Sequence, residues 1–245
     1  MKVYKADLHI HSCLSPCAEL DMSPRAIVEK SLEADMDIIA VSDHNSAENV
    51  EAAIRAGARY GLVVLPGMEI NSREEVHILA IFGDPKEALL MQEIVYDNLE
   101  GSNSPEIFGE QIVVNENDEI EGFNGKMLIG AAGIGLYELE EEIHRLGGLM
   151  IASHIDRPSF SIISQLGFIP RDLELDAVEI SRAHKGKVEL KDLSGPIDVP
   201  QVTFSDAHTI NDIGKAHASF LLENPDINEI RMAFRSESGR GVVVR

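Results

Sequence analysis

The chain has 245 residues, 44% of them hydrophobic but only 5% aromatic and none tryptophan; the length suits one large domain or two small ones, with one core expected, and the composition an aliphatic, alanine- and glycine-rich core. Acidic residues number 42 against 21 basic ones. The resulting formal charge of −21 argues against a polynucleotide partner, because nucleic-acid affinity rests on Lys and Arg displacing counterions. Small anions stay compatible wherever bound cations override the global field. Cys13 and Cys17 are the only cysteines, no stretch approaches the roughly 18 apolar residues of a membrane span, and no apolar leader precedes Asp7. A reducing, cytoplasmic location without membrane contact is therefore expected.

The first element, "VYKADLHI", reads as a strand ending on His9 and His11, which strand alternation puts on one face with Asp7. "SPRAIVEKSLEA" follows as a helix with Ser23 as N-cap and Pro24 at its first position. "DIIAVS" is a second strand leading to His44 in "SDHN". The segment "AENVEAAIRAGARYG" is a helix ending near Gly57 or Gly61. "LVVLPGMEI" and "EVHILAIF" carry Glu69 and His77, and their short link "NSREE" predicts antiparallel neighbours. Residues 83 to about 135 break this rhythm and are read as an insertion holding a helix and a hairpin that turns at Asn115 to Asp118. The Gly-rich "IGAAGIG" is read as a flexible connection. The insertion is expected to act either as a lid selecting the substrate or as a contact between copies in a homo-oligomer. Alternation then resumes with the helix "YELEEEIHRLGG", the strand "LMIAS" before His154, the strands "DAVEIS" and "QVTFSD", the strand "ASFLLE" and the closing helix "INEIRMAFR". Repeated strand–helix units of this length predict parallel strands covered by helices.

In a barrel of parallel strands the C-terminal strand ends converge on one face, where active sites of such folds sit. His9, His11, His44, Glu69, His154, Asp206 and His208 all fall at such ends, and His77 joins them if its strand runs backwards. Neutral imidazoles and carboxylates suit Zn²⁺, Mn²⁺ or Fe²⁺, and a carboxylate such as Glu69 can bridge two cations and offset their repulsion. These side chains are too many for one tetrahedral ion, so two or three divalent ions are expected. Asp7 and Asp43, each two residues or fewer from a ligand histidine, are candidates to brace those rings. Arg157 and Arg182 follow strands on the same face and could clamp a phosphate in bidentate fashion. His184 is ambiguous, while His144 and His217 read as structural or exposed.

The ordered set "DLHIHS", "SDHN", "GMEI", "VHILAIF", "ASHIDRP" and "FSDAH" resembles the polymerase and histidinol phosphatase (PHP) family of metal-dependent phosphoesterases, over roughly residues 5–82 and 147–208. The resemblance implies a distorted (β/α)7 TIM-like barrel with a trinuclear site at its mouth, and hydrolysis of phosphate esters. By motif, one ion would be held by His9, His11, Glu69 and Asp206, a second by Glu69, His77 and His154, and a third by His44, His208 and a residue of the first loop. The usual family loop reads S-D-G, where this chain has Ser15-Pro16-Cys17, so Cys17, Glu19 or Asp21 would complete the third position. The expected activity is hydrolysis of a small phosphorylated metabolite, a nucleotide or other phosphomonoester, by water activated between the ions. Glu69, Asp206, His208, Arg157 and Arg182 would be the catalytic groups, with the leaving-group acid drawn from metal-bound water, His208 or Asp156. Two alternatives stand beside it: a non-catalytic metal-binding regulatory protein, and an amidohydrolase-type hydrolase. The latter would ordinarily want a bridging strand-end lysine, and none is evident.

Overall fold

A computed structural model describes residues 1–183 and 199–243; His184 lies outside the described residues. Among the described residues nine strands form one sheet. Seven of them make the barrel wall: β1 (Lys2–Ile10), β2 (Ile38–Val41), β3 (Val63–Asn71), β4 (His77–Ile81), β7 (Leu149–Ala152), β8 (Ala177–Glu179) and β9 (Gln201–Val202). All adjacent pairs along this wall are parallel except those that β4 makes with β3 and β7. The wall closes beyond β9, where Ala207 bridges Ile10 in parallel register and receives the His11 N–H at 3.0 Å. Closure stops there because β10 (Ala218–Leu222) occupies the lower half of the same β1 edge, from Lys2 to Ala6, and β11 (Gly241–Val242) extends it. The fold is therefore the distorted, nearly closed seven-stranded barrel expected from the sequence.

Strand alternation decides which side chains fill the interior. Ala6, Leu8, Ile38, Ala40, Leu65, Leu79, Ile81, Leu149, Ile151, Ala177, Val202 and Phe204 pack in one buried cluster, closed below by Ile227, Ile230 and Phe234 of the last α-helix. Continuing the two-residue period upward from Leu65, Leu79 and Ala177 brings Glu69, His77 and Glu179 to the interior at the top. The reversal of β4 explains His77: its first residue pairs with Asn71 at the end of β3, so a strand start lies among strand ends. In β1 simple alternation fails. The β1–β2 register shifts between Asp7 and Ile10, Leu8 packs inside, and Ile10 packs with the outer helices. This bulge turns His9 inward and separates it from Asp7, correcting the expectation that Asp7, His9 and His11 share one face.

Outside the wall, α1 (Pro24–Glu33) begins with Ser23 accepting the Ala26 N–H, as expected, and α2 (Val50–Tyr60) ends on Gly61 in the left-handed region at φ 75°. α3 (Pro85–Asn98), α4 (Pro105–Phe108) and the hairpin β5–β6 (Ile112–Val114, Ile120–Phe123) lie within the segment read as an insertion, and the hairpin turns at the expected residues. The stretch 129–135 is pinned, not a free connection. Ala132 N–H donates to Asn71, Gly133 N–H to Asn98, and Asn45 Nδ2 to the carbonyls of Leu128 and Gly130. Backbone amides need partners, and these loop carbonyls and N–H groups find them in the barrel rim and at the end of the helix that closes on Asn98. After α5 (Leu136–Arg145) and α6 (Ile162–Leu166), α7 (Ile227–Phe234) closes the barrel floor.

Candidate metal centre

Seven side chains from six barrel segments meet at the top of the interior. Glu69 is their centre and is 1% exposed. Its Oε1 lies 3.2 Å from His9 Nε2, 3.1 Å from His77 Nδ1 and 3.2 Å from His154 Nε2, while its Oε2 lies 3.2 Å from His44 Nδ1 and 3.5 Å from His11 Nε2. Asp206 Oδ1 stands 3.4 and 3.2 Å from the same His9 and His11 nitrogens, which are 3.2 Å from each other. Glu69 Oε1, His77 Nδ1 and Asp206 Oδ1 are nonetheless buried without a hydrogen bond. These donor atoms crowd together without hydrogen-bonding one another. Ligand atoms about 2.1 Å from a common ion sit about 3.0 Å apart on an octahedron and about 3.4 Å apart on a tetrahedron, which is the spacing seen here. The donor set fits divalent cations.

Buried polar partners fix the rings. Glu179 Oε2 takes the His9 Nδ1–H at 2.8 Å, leaving Nε2 toward Glu69 and Asp206. Ser15 donates its one hydroxyl proton to Asp43 Oδ1 at 2.6 Å and accepts the His44 N–H at 3.1 Å, so its contact of 3.0 Å with His11 Nδ1 must be a second acceptance. His11 therefore also presents Nε2 to the centre. Asp43 takes in addition the N–H and hydroxyl of Ser12. His208 donates Nδ1–H to the carbonyl of Asp206 at 3.0 Å and stacks on His11 with centroids 4.2 Å apart. His154 and Asp206 adopt positive φ, 28° and 47°, a strained backbone that turns both side chains to the site.

Electrostatics favour ligand-ready forms for two of the histidines. Burial, reinforced by His208, pushes His11 down to about 4, and burial holds His44 well below the ordinary imidazole value. Burial would also depress His9, but Glu179, Glu69 and Asp206 together carry it well above that value. Burial would raise Glu69 and Asp206, yet the surrounding imidazoles, led by His77 for Glu69 and His9 for Asp206, keep both well below the usual carboxylate range.

Among the remaining residues singled out in the sequence, Arg157 reaches the cluster through a 2.5 Å contact with Asp206 Oδ2. Arg182 pairs instead with Asp212 Oδ1 at 2.9 Å. Asp156 accepts both the N–H and the hydroxyl of Ser181, which ties down the chain after β8. Asp43 braces His11 through Ser15, but Asp7 accepts the N–H groups of Ser205 and Gly214 and braces the loop around Asp206, with burial raising its carboxyl to about 6. Cys13 is buried against Ile112 and Asn49, and His144 binds Asp176 far below the site. Cys17 is exposed as a residue, although its sulfur lies within 4.8 Å of ring nitrogens of His11, His44 and His208. Burial and the nearby Glu69 push its thiol up to about 12. Glu179 and Ser15 were missed in the sequence. Glu179 carried a signal, being the only charge on the inward face of "AVEI"; Ser15 carried none.

A barrel of this kind with a histidine- and carboxylate-lined mouth defines a class of metal-centred α/β proteins. The PHP domain model matches residues 7–165, and the chain belongs to that family. A 3',5'-nucleoside bisphosphate phosphatase of Chromobacterium violaceum is 31% identical over 87 residues, covering 34% of this chain and 30% of that protein. Among solved structures, a lesion-specific endonuclease of Pyrococcus furiosus superposes with a TM-score of 0.71 at 19% identity, over 99% of this chain and 58% of that one. An amidohydrolase of Chromobacterium violaceum gives 0.55 at 17% identity, over 85% and 89%. The chain thus spans less than two thirds of both the phosphatase and the endonuclease, and the structural likenesses speak for the fold alone.

Proposed function

We propose that the protein is a metal-dependent phosphoesterase acting on a small phosphorylated metabolite, a nucleotide or other phosphomonoester. The observation carrying this reading is Glu69 Oε1, held within 3.1 to 3.2 Å of three imidazole nitrogens and hydrogen-bonded to none. His9, His11, Glu69 and Asp206 would hold one divalent ion, Glu69, His77 and His154 a second, and His44 with His208 would contribute to a third. Zinc, manganese and iron(II) all suit these donors. When bound, such ions supply Lewis acidity and water activated near neutral pH.

The chain's own residues supply position and charge. Glu69 would be shared between two of the ions, and Asp206 orients Arg157. That guanidinium is 39% exposed at the side chain and keeps donors to spare for phosphate oxygens as charge moves onto the leaving group. Arg182, steadied by Asp212, is a second candidate at the rim. His208 gives its Nδ1–H to the Asp206 carbonyl and would offer its other nitrogen to an ion, and both Asp156 oxygens are engaged by Ser181, so ion-activated water is the better candidate for the leaving-group acid.

The phosphatase relative favours a nucleotide bisphosphate among small substrates, and the net charge of −21 disfavours polynucleotides. The test is phosphate release from nucleoside mono- and bisphosphates and sugar phosphates, alongside nicking of a duplex carrying an abasic site. Each substrate is assayed after metal stripping and reloading. Metal-dependent phosphate release that disappears in Glu69→Gln supports the reading. Nicking without phosphate release moves the substrate to DNA, and neither activity from fully loaded protein refutes catalysis.

A further inference from the structure

Three groups of potential ligands meet at the barrel mouth, and they differ in chemistry. His9, His11 and Asp206 form one and His44, Glu69 and His77 another, each with a carboxylate. The third, His11, Cys17, His44 and His208, has none and offers a sulfur instead. Its ligand atoms all lie within 4.8 Å of one another. Glu19 and Asp21, the other acids of the first loop, are exposed and enter no such group among the described residues.

The loop holds the backbone of Cys17 in place from both sides. Before it, Ser15 is buried and hydrogen-bonded to Asp43 and to the His44 N–H. After it, the Glu19 N–H donates to the carbonyl of His208 at 2.9 Å, and Ala18 N–H closes a turn onto Ser15. The same hydroxyl and the same carbonyl therefore register Cys17 against two of its imidazole partners.

Building on the metal-centre reading above, we propose that His44, His208 and Cys17 form a nitrogen–sulfur position that selects a thiophilic divalent cation such as zinc or iron(II). The other two positions, of His9, His11, Glu69 and Asp206 and of Glu69, His77 and His154, contain carboxylates and accept harder ions such as manganese. Softness of the donor decides which metal is retained when geometry is otherwise equal. On binding, the Cys17 S–H bond breaks, the proton passes to solvent and the sulfur forms its bond to the cation, so uptake at this position releases one proton that a carboxylate would not.

Cobalt(II) reports thiolate ligation directly. Stripped protein reloaded with Co²⁺ should show intense near-ultraviolet sulfur-to-cobalt charge transfer in the wild type and in Cys13→Ser, and none in Cys17→Ser, which keeps the weaker visible ligand-field bands. Cys17→Asp should again bind a full complement of ions, with its preference for zinc over manganese at this position reduced by at least about tenfold. A fully cobalt-loaded wild type lacking the charge-transfer band overturns the proposal. So does a band that survives in Cys17→Ser or vanishes in Cys13→Ser, or an unchanged metal preference in Cys17→Asp. Absence of any cobalt uptake overturns it together with the metal-centre reading. Loss of phosphate release with the band intact refutes only the phosphoesterase reading.

Discussion

Changing Glu179 to Gln removes one charge from behind the candidate metal centre without changing its shape. The carboxylate is fully buried and takes the His9 Nδ1–H at 2.8 Å, and its other oxygen has no partner. A hydrogen bond to a charged group is worth about 1.5–3 kcal/mol. Losing the outer partner of a ligand histidine typically costs about 10- to 100-fold in metal affinity, or about 1.4–2.8 kcal/mol, so the two routes agree. Gln keeps an acceptor for His9 and should fall near the tenfold end. Ala leaves the ring without a partner and should approach a hundredfold. Chelator competition with a metal indicator measures the affinities, and the kinetic consequence should shrink when metal is saturating. If both variants bind metal as tightly as the wild type, Glu179 is merely a buried neighbour and the bracing argument fails.

Asn49 is buried and joins the first loop to the hairpin, donating to Ser12 Oγ at 2.9 Å and the Ile112 carbonyl at 3.0 Å and accepting the Val114 N–H at 3.0 Å. At about 1 kcal/mol per bond, Asn49→Ala should lose about 3 kcal/mol in urea unfolding and speed amide exchange at Val114; a loss under about 1 kcal/mol contradicts this. Metal removal should lower the melting temperature: ligand at about 100 times Kd contributes about 2.7 kcal/mol, and a domain of this size shifts about 2–4 °C per kcal/mol, giving about 5–11 °C. An unchanged melting curve after chelation, with loss of metal verified, argues against the centre. The hydrogen bond to Asp176 at 3.1 Å raises His144 above the ordinary imidazole value, so its stabilisation is fully present below about pH 6.5 and is lost as pH rises through the folded-state value. The stability deficit of His144→Ala should accordingly be larger at about pH 5.5 than at about pH 8.5, and the reverse order refutes the pairing. Gly148→Ala would place a Cβ 2.6 Å from Phe82 Cε1 and 2.9 Å from Ile143 Cγ2, an overpacking expected to cost about 1–3 kcal/mol by thermal or chemical unfolding.

Much of the barrel was legible because its signals are local. Short apolar runs alternating with amphipathic segments define the strands and helices, Ser23 with Pro24 marks a helix start, and the short link before His77 foretold the reversed strand. The residues brought together at the mouth were visible as strand ends, since a parallel barrel gathers those ends whatever the details of packing. Family membership rests on the match over residues 7–165, which spans these motifs up to "ASHIDRP" and stops short of "FSDAH".

Tertiary structure decided what periodicity could not. The bulge in β1 changes which face His9 shares, and positive φ at His154 turns that side chain against the parity set by Leu149 and Ile151. Both depend on how distant segments press on the chain, which no window of sequence records. Glu179 and Ser15 acquire their roles only from partners 170 and 4 residues away, at distances set by barrel closure and loop packing. Asp7 and Asp43 look alike in sequence, each just before one of the candidate ligand histidines. Asp43 faces Ser15 and so supports His11, while Asp7 faces the backbone of Ser205 and Gly214. Residue type fixed which chemistry each side chain could perform, and the three-dimensional path of the backbone chose the neighbour on which it is performed.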